Sequence, residues 1–271
     1  MNEKDLPCEP CSVGPPGDPD GPPILRLVGV DKILDGKKVL DGINLDIPRN
    51  RITAIIGLSG AGKSVLLKHM IGLLKPDRGQ VLLDAVDLCG LSRKELYETR
   101  KRFGMLFQSG ALFDSLDVFE NVAFPLREKT RLGEEQIRER VRIILRKVGL
   151  EEAGEKFPDE LSGGMVRRVA LARAMVMDPE IILFDEPTTG LDPIIRNSIL
   201  NLICRTFQDH KFTMVMISHD IPDIFHWCHH VVVVHGGRVI EAGPPDAVRN
   251  SINPLVRQLV EGDINGPVHL M

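Results

Sequence analysis

The sequence predicts an α/β fold: a mainly parallel sheet, antiparallel strands at its start and end, and a helical subdomain inserted partway along. Three observations predict it. Short apolar runs such as Ile52–Ile56, Ile181–Phe184 and Phe212–Ile217 alternate with stretches that read as helix. Gly57-Leu58-Ser59-Gly60-Ala61-Gly62-Lys63-Ser64 fits G-x-x-x-x-G-K-[ST] and lies between an apolar run and the helical pattern Val65–Ile71, which is the strand, turn and helix context this P-loop motif needs. Ile137, Val141, Ile144, Leu145 and Val148 form one apolar stripe at helical spacing among charged residues.

The glycine-rich turn sets the chemistry. Glycines let backbone N–H groups converge on phosphate oxygens, and a helix N-terminus adds partial positive charge. The pattern assigns Gly57, Ser59, Gly60, Ala61, Gly62 and Val65 to a phosphate cradle for ATP, Lys63 to the β- and γ-phosphates, and the Ser64 hydroxyl to Mg²⁺. Asp185 and Glu186 end an apolar strand. Asp185 is placed to share that Mg²⁺. Glu186 is placed to align or deprotonate an attacking water.

With 271 residues the chain can bury a full core. A net charge of −4 and 4% aromatic residues argue against nucleic acid as a partner, since neither a basic stripe nor base-stacking platforms are supplied. Cys8, Cys11, Cys89, Cys204 and Cys228 are odd in number and irregular in spacing, so reduced thiols are expected. No run approaches the ~18 apolar residues of a spanning helix, and Glu3, Lys4 and Asp5 do not read as a signal peptide. Any membrane role is expected to come through a partner.

In chain order, residues 1–23 are rich in Pro and Gly and read as a disordered tail. Ile24–Val30 and Val39–Ile47 read as an antiparallel pair around an Asp35-Gly36 turn. Gln80–Leu83 is a strand, and Ser92 with Glu95 forms a capping box for a short helix. Arg102–Gln108 is a strand ending in a polar residue. About 113–159 is the helical subdomain, with Gly149 ending its main helix. Ser162 caps a helix from Met165 to Met177. Val231–Val234 and Arg238–Ile240 flank a His235-Gly236-Gly237 hairpin, and 24–250 is taken as one domain. Residues 251–271 form a tail in which Val256, Leu259 and Val260 present an apolar stripe that wants a partner. His226, Cys228, His229, His230 and His235 match no zinc spacing and are read as ordinary packing and surface positions.

Leu161-Ser162-Gly163-Gly164 ahead of Asp185-Glu186, with His219 one strand later, resembles the ABC-transporter ATPases over about Ile24 to Gly243. The resemblance implies a P-loop ABC ATPase core with an antiparallel β subdomain and an inserted helical subdomain. It also implies a homodimer in which two ATPs are sandwiched head to tail. In it Ser162, Gly163 and Gly164 of one copy close on the γ-phosphate held by the other's P-loop. Gln108 matches the Q-loop, which senses Mg²⁺ or water and couples to an integral permease. Thr189-Gly190-Leu191-Asp192 matches the D-loop, and His219 the switch histidine at the γ-phosphate.

Two departures stand out. The position of the adenine-stacking aromatic is about Leu34, which supplies apolar contact without a π-face. The signature ends in Met165 rather than Gln, a minority form that resembles the ATPases of Mla/MCE-type phospholipid (toluene-tolerance) transporters. Met105–Phe113, Val118–Glu128 and the tail from Asn253 to Val268 resemble the same subfamily, in which the tail reaches the second ATPase subunit. These likenesses imply an MlaE-like permease, MCE-domain and STAS-domain partners, and a place on the cytoplasmic face of the bacterial inner membrane. The alternatives are the ATPase of an importer for an amino acid or metal, or a soluble ABC protein without a permease. One cassette, no sustained heptads and an acidic balance disfavour the latter.

Overall fold

The structure is a computed structural model describing residues 21–210, 212–221 and 223–267. The reading of residues 1–20 as a tail, with the Cys8-x-x-Cys11 pair, lies outside the described residues, as do residues 268–271. In chain order the main elements are β1 (Leu25–Leu34), β2 (Lys37–Ile47), β3 (Ile52–Ile56), α1 (Lys63–Met70), β4 (Arg78–Leu83), β5 (Val86–Asp87), α2 (Arg93–Arg100), β6 (Phe103–Leu106), α3 (Val118–Lys129), α4 (Glu134–Lys147), α5 (Gly163–Met175), β7 (Ile181–Asp185), α6 (Pro193–His210), β8 (Thr213–Ile217), β9 (His230–His235), β10 (Arg238–Gly243), α7 (Pro245–Arg249) and α8 (Pro254–Glu261). They fall into two compact units, one of residues 21–100 with 213–267 and one of residues 101–212.

The first unit holds two sheets. Strands β2-β1-β4-β5 form an antiparallel sheet. The β1–β2 hairpin turns on Asp35 and Gly36, both at positive φ (49° and 76°), the requirement of a two-residue turn that matches strand twist. The other sheet runs β10-β9-β3-β8, with β3 parallel to β8 and β9 and the β9–β10 hairpin antiparallel. Every residue of β3 and β8 is buried, so both are continuous apolar runs rather than alternating ones. The Ser92–Glu95 capping box is formed in both directions, at 3.3 and 2.8 Å.

The second unit pairs β6 and β7 in parallel and packs α3–α6 with them. The stripe expected on α4 is realised: Ile137, Val141, Ile144, Leu145 and Val148 are all buried, and Gly149 ends the helix at φ 69°. Asp117 caps α3 through the Glu120 N–H at 2.7 Å. Buried Asn121 pins the preceding loop, its amide donating to the carbonyls of Phe113, Leu116 and Asp117 at 3.1, 2.9 and 3.0 Å. Cys89 and Cys228 are free thiols.

Candidate active site

In the first unit, β3 runs directly into the P-loop. Gly57, Gly60 and Gly62 all have positive φ (153°, 77° and 96°). At Gly57 the need is steric as well: a Cβ would lie 2.1 Å from the Val234 carbonyl oxygen of β9. At Gly62 it would lie 2.8 Å from the Val39 carbonyl oxygen of β2. Gly62 is the N-cap of α1 and supplies no side-chain cap, and no acidic residue sits in the first turn. The α1 N-terminus therefore keeps its partial positive charge and its amides for an anion. Lys63, 5% exposed, curls back so that Nζ donates to the carbonyls of Gly57 and Leu58 at 2.8 and 2.9 Å. The ammonium is thus held over the loop rather than extended into solvent. Ser64 and Val65 follow in the first turn, half-buried, and Ser59 and Gly60 are exposed at the loop's crest.

The parallel register brings His219 to the same sheet edge. Ile55 of β3 lies opposite Ile217 of β8, and the Ser218 N–H donates to the Ile55 carbonyl at 3.2 Å. Both chains then leave the sheet at its carboxyl edge, where open α/β sheets place their ligands. His219 is exposed there. Leu34, at the end of β1, is half-buried beside the hairpin turn, with Lys37 opposite it.

In the second unit the same logic positions the acids. Leu106 of β6 pairs with Phe184 of β7, so Gln108 and Glu186 emerge side by side two residues later. Gln108 Nε2 donates to Glu186 Oε2 at 3.0 Å, and Thr189 Oγ1 donates to the same oxygen at 3.1 Å. Glu186 sits at φ 53°, an uncommon conformation for a non-glycine residue and one found at functional sites. Asp185, at the end of β7, is 9% exposed. A largely buried carboxylate beside a carboxylate oriented by two donors can hold a cation and align a water.

Ser162 caps α5, its Oγ accepting the Met165 N–H at 3.3 Å, with Ser162 and Gly163 exposed. Gly164 is buried where a Cβ would come 2.8 Å from Ile195 Cγ2 of α6, so its small size is a packing requirement. Asp192 accepts the N–H groups of Ile194 and Ile195 at 3.0 and 3.1 Å and starts α6.

Near β9, His226 is exposed and His229, His230 and His235 are half-buried. The Ile52 N–H donates to His229 Nδ1 at 3.1 Å. Burial pushes the His230 pKa down and the Cys228 thiol up to about 12, the reverse of what a thiolate ligand needs. No metal-binding group of three or more His, Cys, Asp or Glu is present among the described residues. The sequence reading passed over Arg173. An arginine in the otherwise apolar run Val169–Met175 was the available signal, because a cation set among buried apolar neighbours needs a reason.

Residues 40–189 match the family described as ABC transporter. The chain is 46% identical over 230 residues to the intermembrane phospholipid transport system ATP-binding protein MlaF of Haemophilus influenzae, covering 85% of this chain and 87% of that one. It is 40% identical over 244 residues to the probable ribonucleotide transport ATP-binding protein mkl of Mycobacterium leprae, covering 90% of this chain and 70% of that one. Among solved structures, cbiO1 from Clostridium perfringens, part of the ABC transporter complex cbiONQ, superposes with a TM-score of 0.77 at 35% identity, over 84% of this chain and 91% of that one. The dimeric post-hydrolysis state of the ATP-binding cassette MJ0796, bound to ADP and Pi, superposes with a TM-score of 0.74 at 31% identity, over 82% and 98% of the two chains. The chain belongs to the ABC transporter family as an ATP-binding, ATP-hydrolysing subunit.

Proposed function

We propose that this chain powers a phospholipid transporter. It would work as a homodimer on the cytoplasmic face of the bacterial inner membrane, bound to an MlaE-like integral permease with MCE-domain and STAS-domain partners. The observation that carries the lipid reading is the 46% identity to a phospholipid-transport ATP-binding protein over 85% of the chain. The ribonucleotide-transport relative is less similar, at 40%, and this chain spans less of it. Among the described residues no helix is long and apolar enough to cross a membrane.

In this reading the P-loop amides and Lys63 would bind the ATP phosphates, and Ser64, Asp185 and Gln108 would hold Mg²⁺. Mg²⁺ fits the donor set, a hydroxyl, a largely buried carboxylate and an amide, all oxygen ligands suited to a hard cation. When bound, it neutralises charge on the β- and γ-phosphates. Glu186 orients the attacking water and accepts its proton, held in place by Gln108 and Thr189. His219 contacts the γ-phosphate, and Ser162, Gly163 and Gly164 of the second copy complete the enclosure.

The test uses full-length protein with its permease in phospholipid vesicles. Labelled phospholipid is expected to move only with ATP. Glu186→Gln is expected to lose about 100-fold or more in turnover while keeping ATP affinity, since general-base assistance contributes about 10²–10⁴-fold. Turnover stimulated by an amino acid or a metal, with no lipid movement, would overturn the lipid reading. Parent-rate turnover in Glu186→Gln would remove Glu186 from the role of base.

A further inference from the structure

The helix that starts at the Ser-Gly-Gly signature carries two arginines that turn inward. Arg173 Nη1 donates to the carbonyl of Ala111 at 2.8 Å and its Nη2 to that of Gly110 at 2.7 Å. Arg167 Nη2 donates to the carbonyl of Thr189 at 3.3 Å. Gly110 and Ala111 follow Gln108 in the Q-loop, and Thr189 opens the D-loop. Neither guanidinium pairs with a carboxylate among the described residues.

This arrangement is costly for packing alone. Burial pushes the pKa of both arginines down, and Arg167 Nε is buried with no hydrogen-bond partner. Both arginines are half-buried; Arg173 also lies over the Phe113 ring, 5.8 Å from its centroid, and a half-buried cation whose hydrogen bonds go to backbone carbonyls, with the Arg167 Nε orphaned, is an expensive way to fill space. What the two side chains hold explains it. Arg173 fixes the loop that delivers Gln108, and Arg167 fixes the residue that delivers the Thr189 hydroxyl. Gln108 and Thr189 both donate to one atom, Glu186 Oε2.

We infer that Arg167 and Arg173 are positioning residues, through which the signature helix sets the orientation of the Glu186 carboxylate by clamping the two loops that grip it. This rests on the reading of Glu186 as the base. The α5 N-terminus is the part of the chain that meets a second copy in the proposed dimer. A small rotation of that helix would therefore shift both donors to Glu186 together, tying hydrolysis to closure of the dimer.

The experiment measures steady-state ATPase activity of the full-length chain assembled with its permease. Arg167→Met and Arg173→Met keep the apolar stem and remove the donors. Each is expected to lower kcat about 10-fold or more while the KM for ATP stays within about twofold, because binding rests on the P-loop. Thr189→Val is expected to lower kcat to a similar extent. The double variant Arg167→Met/Thr189→Val is expected to lose no more than the worse single one, because Arg167 acts through Thr189. Multiplicative losses in the double variant, or a raised KM with parent kcat, would overturn the inference by reducing the arginines to packing. If Arg167→Met does not fold, Arg167→Lys decides: a kcat loss at unchanged KM supports the clamp, and parent kcat overturns it. Glu186→Gln measured alongside separates the two claims. Low turnover there with parent kcat in the arginine variants sinks only the clamp, whereas parent turnover there removes the base and the clamp together.

Discussion

Leu34 closes β1 half-buried, and its neighbour Ile33 is 52% exposed, so the end of this strand presents aliphatic side chains and no aromatic ring. The next hairpin strand brings Val39 against the P-loop at Gly62. A base resting on aliphatic groups gains dispersion and area burial, which adenine and guanine share, without the oriented π contact that an aromatic supplies. We therefore expect ATP and GTP to compete within about threefold. Leu34→Tyr is expected to tighten binding of ATP roughly 2–10-fold, the range that follows from the ~0.5–1.5 kcal/mol an aromatic pair adds beyond its buried area. Competition binding with both nucleotides measures this, and a strong ATP preference in the parent protein would place the adenine platform elsewhere. At this scale the sequence was informative wherever function is carried by consecutive residues: the glycines at 57, 60 and 62, Lys63, and the acids at 185 and 186. It was silent on Arg167 and Arg173, because their meaning lies in which distant carbonyls they reach, and nothing in the spacing of α5 encodes that.

Elements with a strong local period were legible in kind: the α4 stripe and the Asp35-Gly36 turn fall where expected, while β1 runs four residues beyond Val30 and β2 begins two before Val39. The C-terminal helix shows where such reasoning stops. Its apolar stripe predicted an unsatisfied face awaiting a partner, yet Val256 is fully buried within its own unit. Leu255 and Leu259 wall an apolar cavity of about 160 Å³ together with Leu58 of the P-loop, Val234 and Ile240. Periodicity says that a helix has an apolar face but not what covers it. The C-terminal helix thus spends Val256 on its own unit, while Leu259 and Val260 are half-buried and Ile264 is 82% exposed, and we propose that these supply the clasp to a second subunit. Val256→Ala is expected to cost roughly 1–3 kcal/mol, as burial of an aliphatic side chain implies, and to lower the thermal midpoint by several degrees in the full-length chain. A residue waiting for a partner would instead cost within about 0.5 kcal/mol in the isolated protein.

For the whole molecule, the arrangement of functional groups argues for work in pairs. The signature Ser162 and Gly163 are exposed at the start of α5, and Ile194, just beyond the D-loop, is 82% exposed, a large apolar side chain left in solvent on the same unit. The family relative with ADP and Pi bound is a dimer. If the signature of one copy completes the nucleotide site of the other, two defective chains can repair each other. Lys63→Ala removes the cation from one P-loop, and Gly163→Asp places a negative charge at the helix N-terminus that would face the γ-phosphate. Each homodimer then has two defective sites. A mixed dimer concentrates both lesions in one site and leaves the other with an intact P-loop and an intact signature. We expect each variant alone to fail to trap ATP and to sediment as a monomer. The equimolar mixture is expected to form mixed dimers that trap about one nucleotide each. Trapped nucleotide and sedimentation in the presence of ATP are the readouts, because turnover by a single site would be too indirect. If the mixture behaves as the average of its parts, the P-loop and signature act within one chain, and the homodimer reading of this ATPase fails.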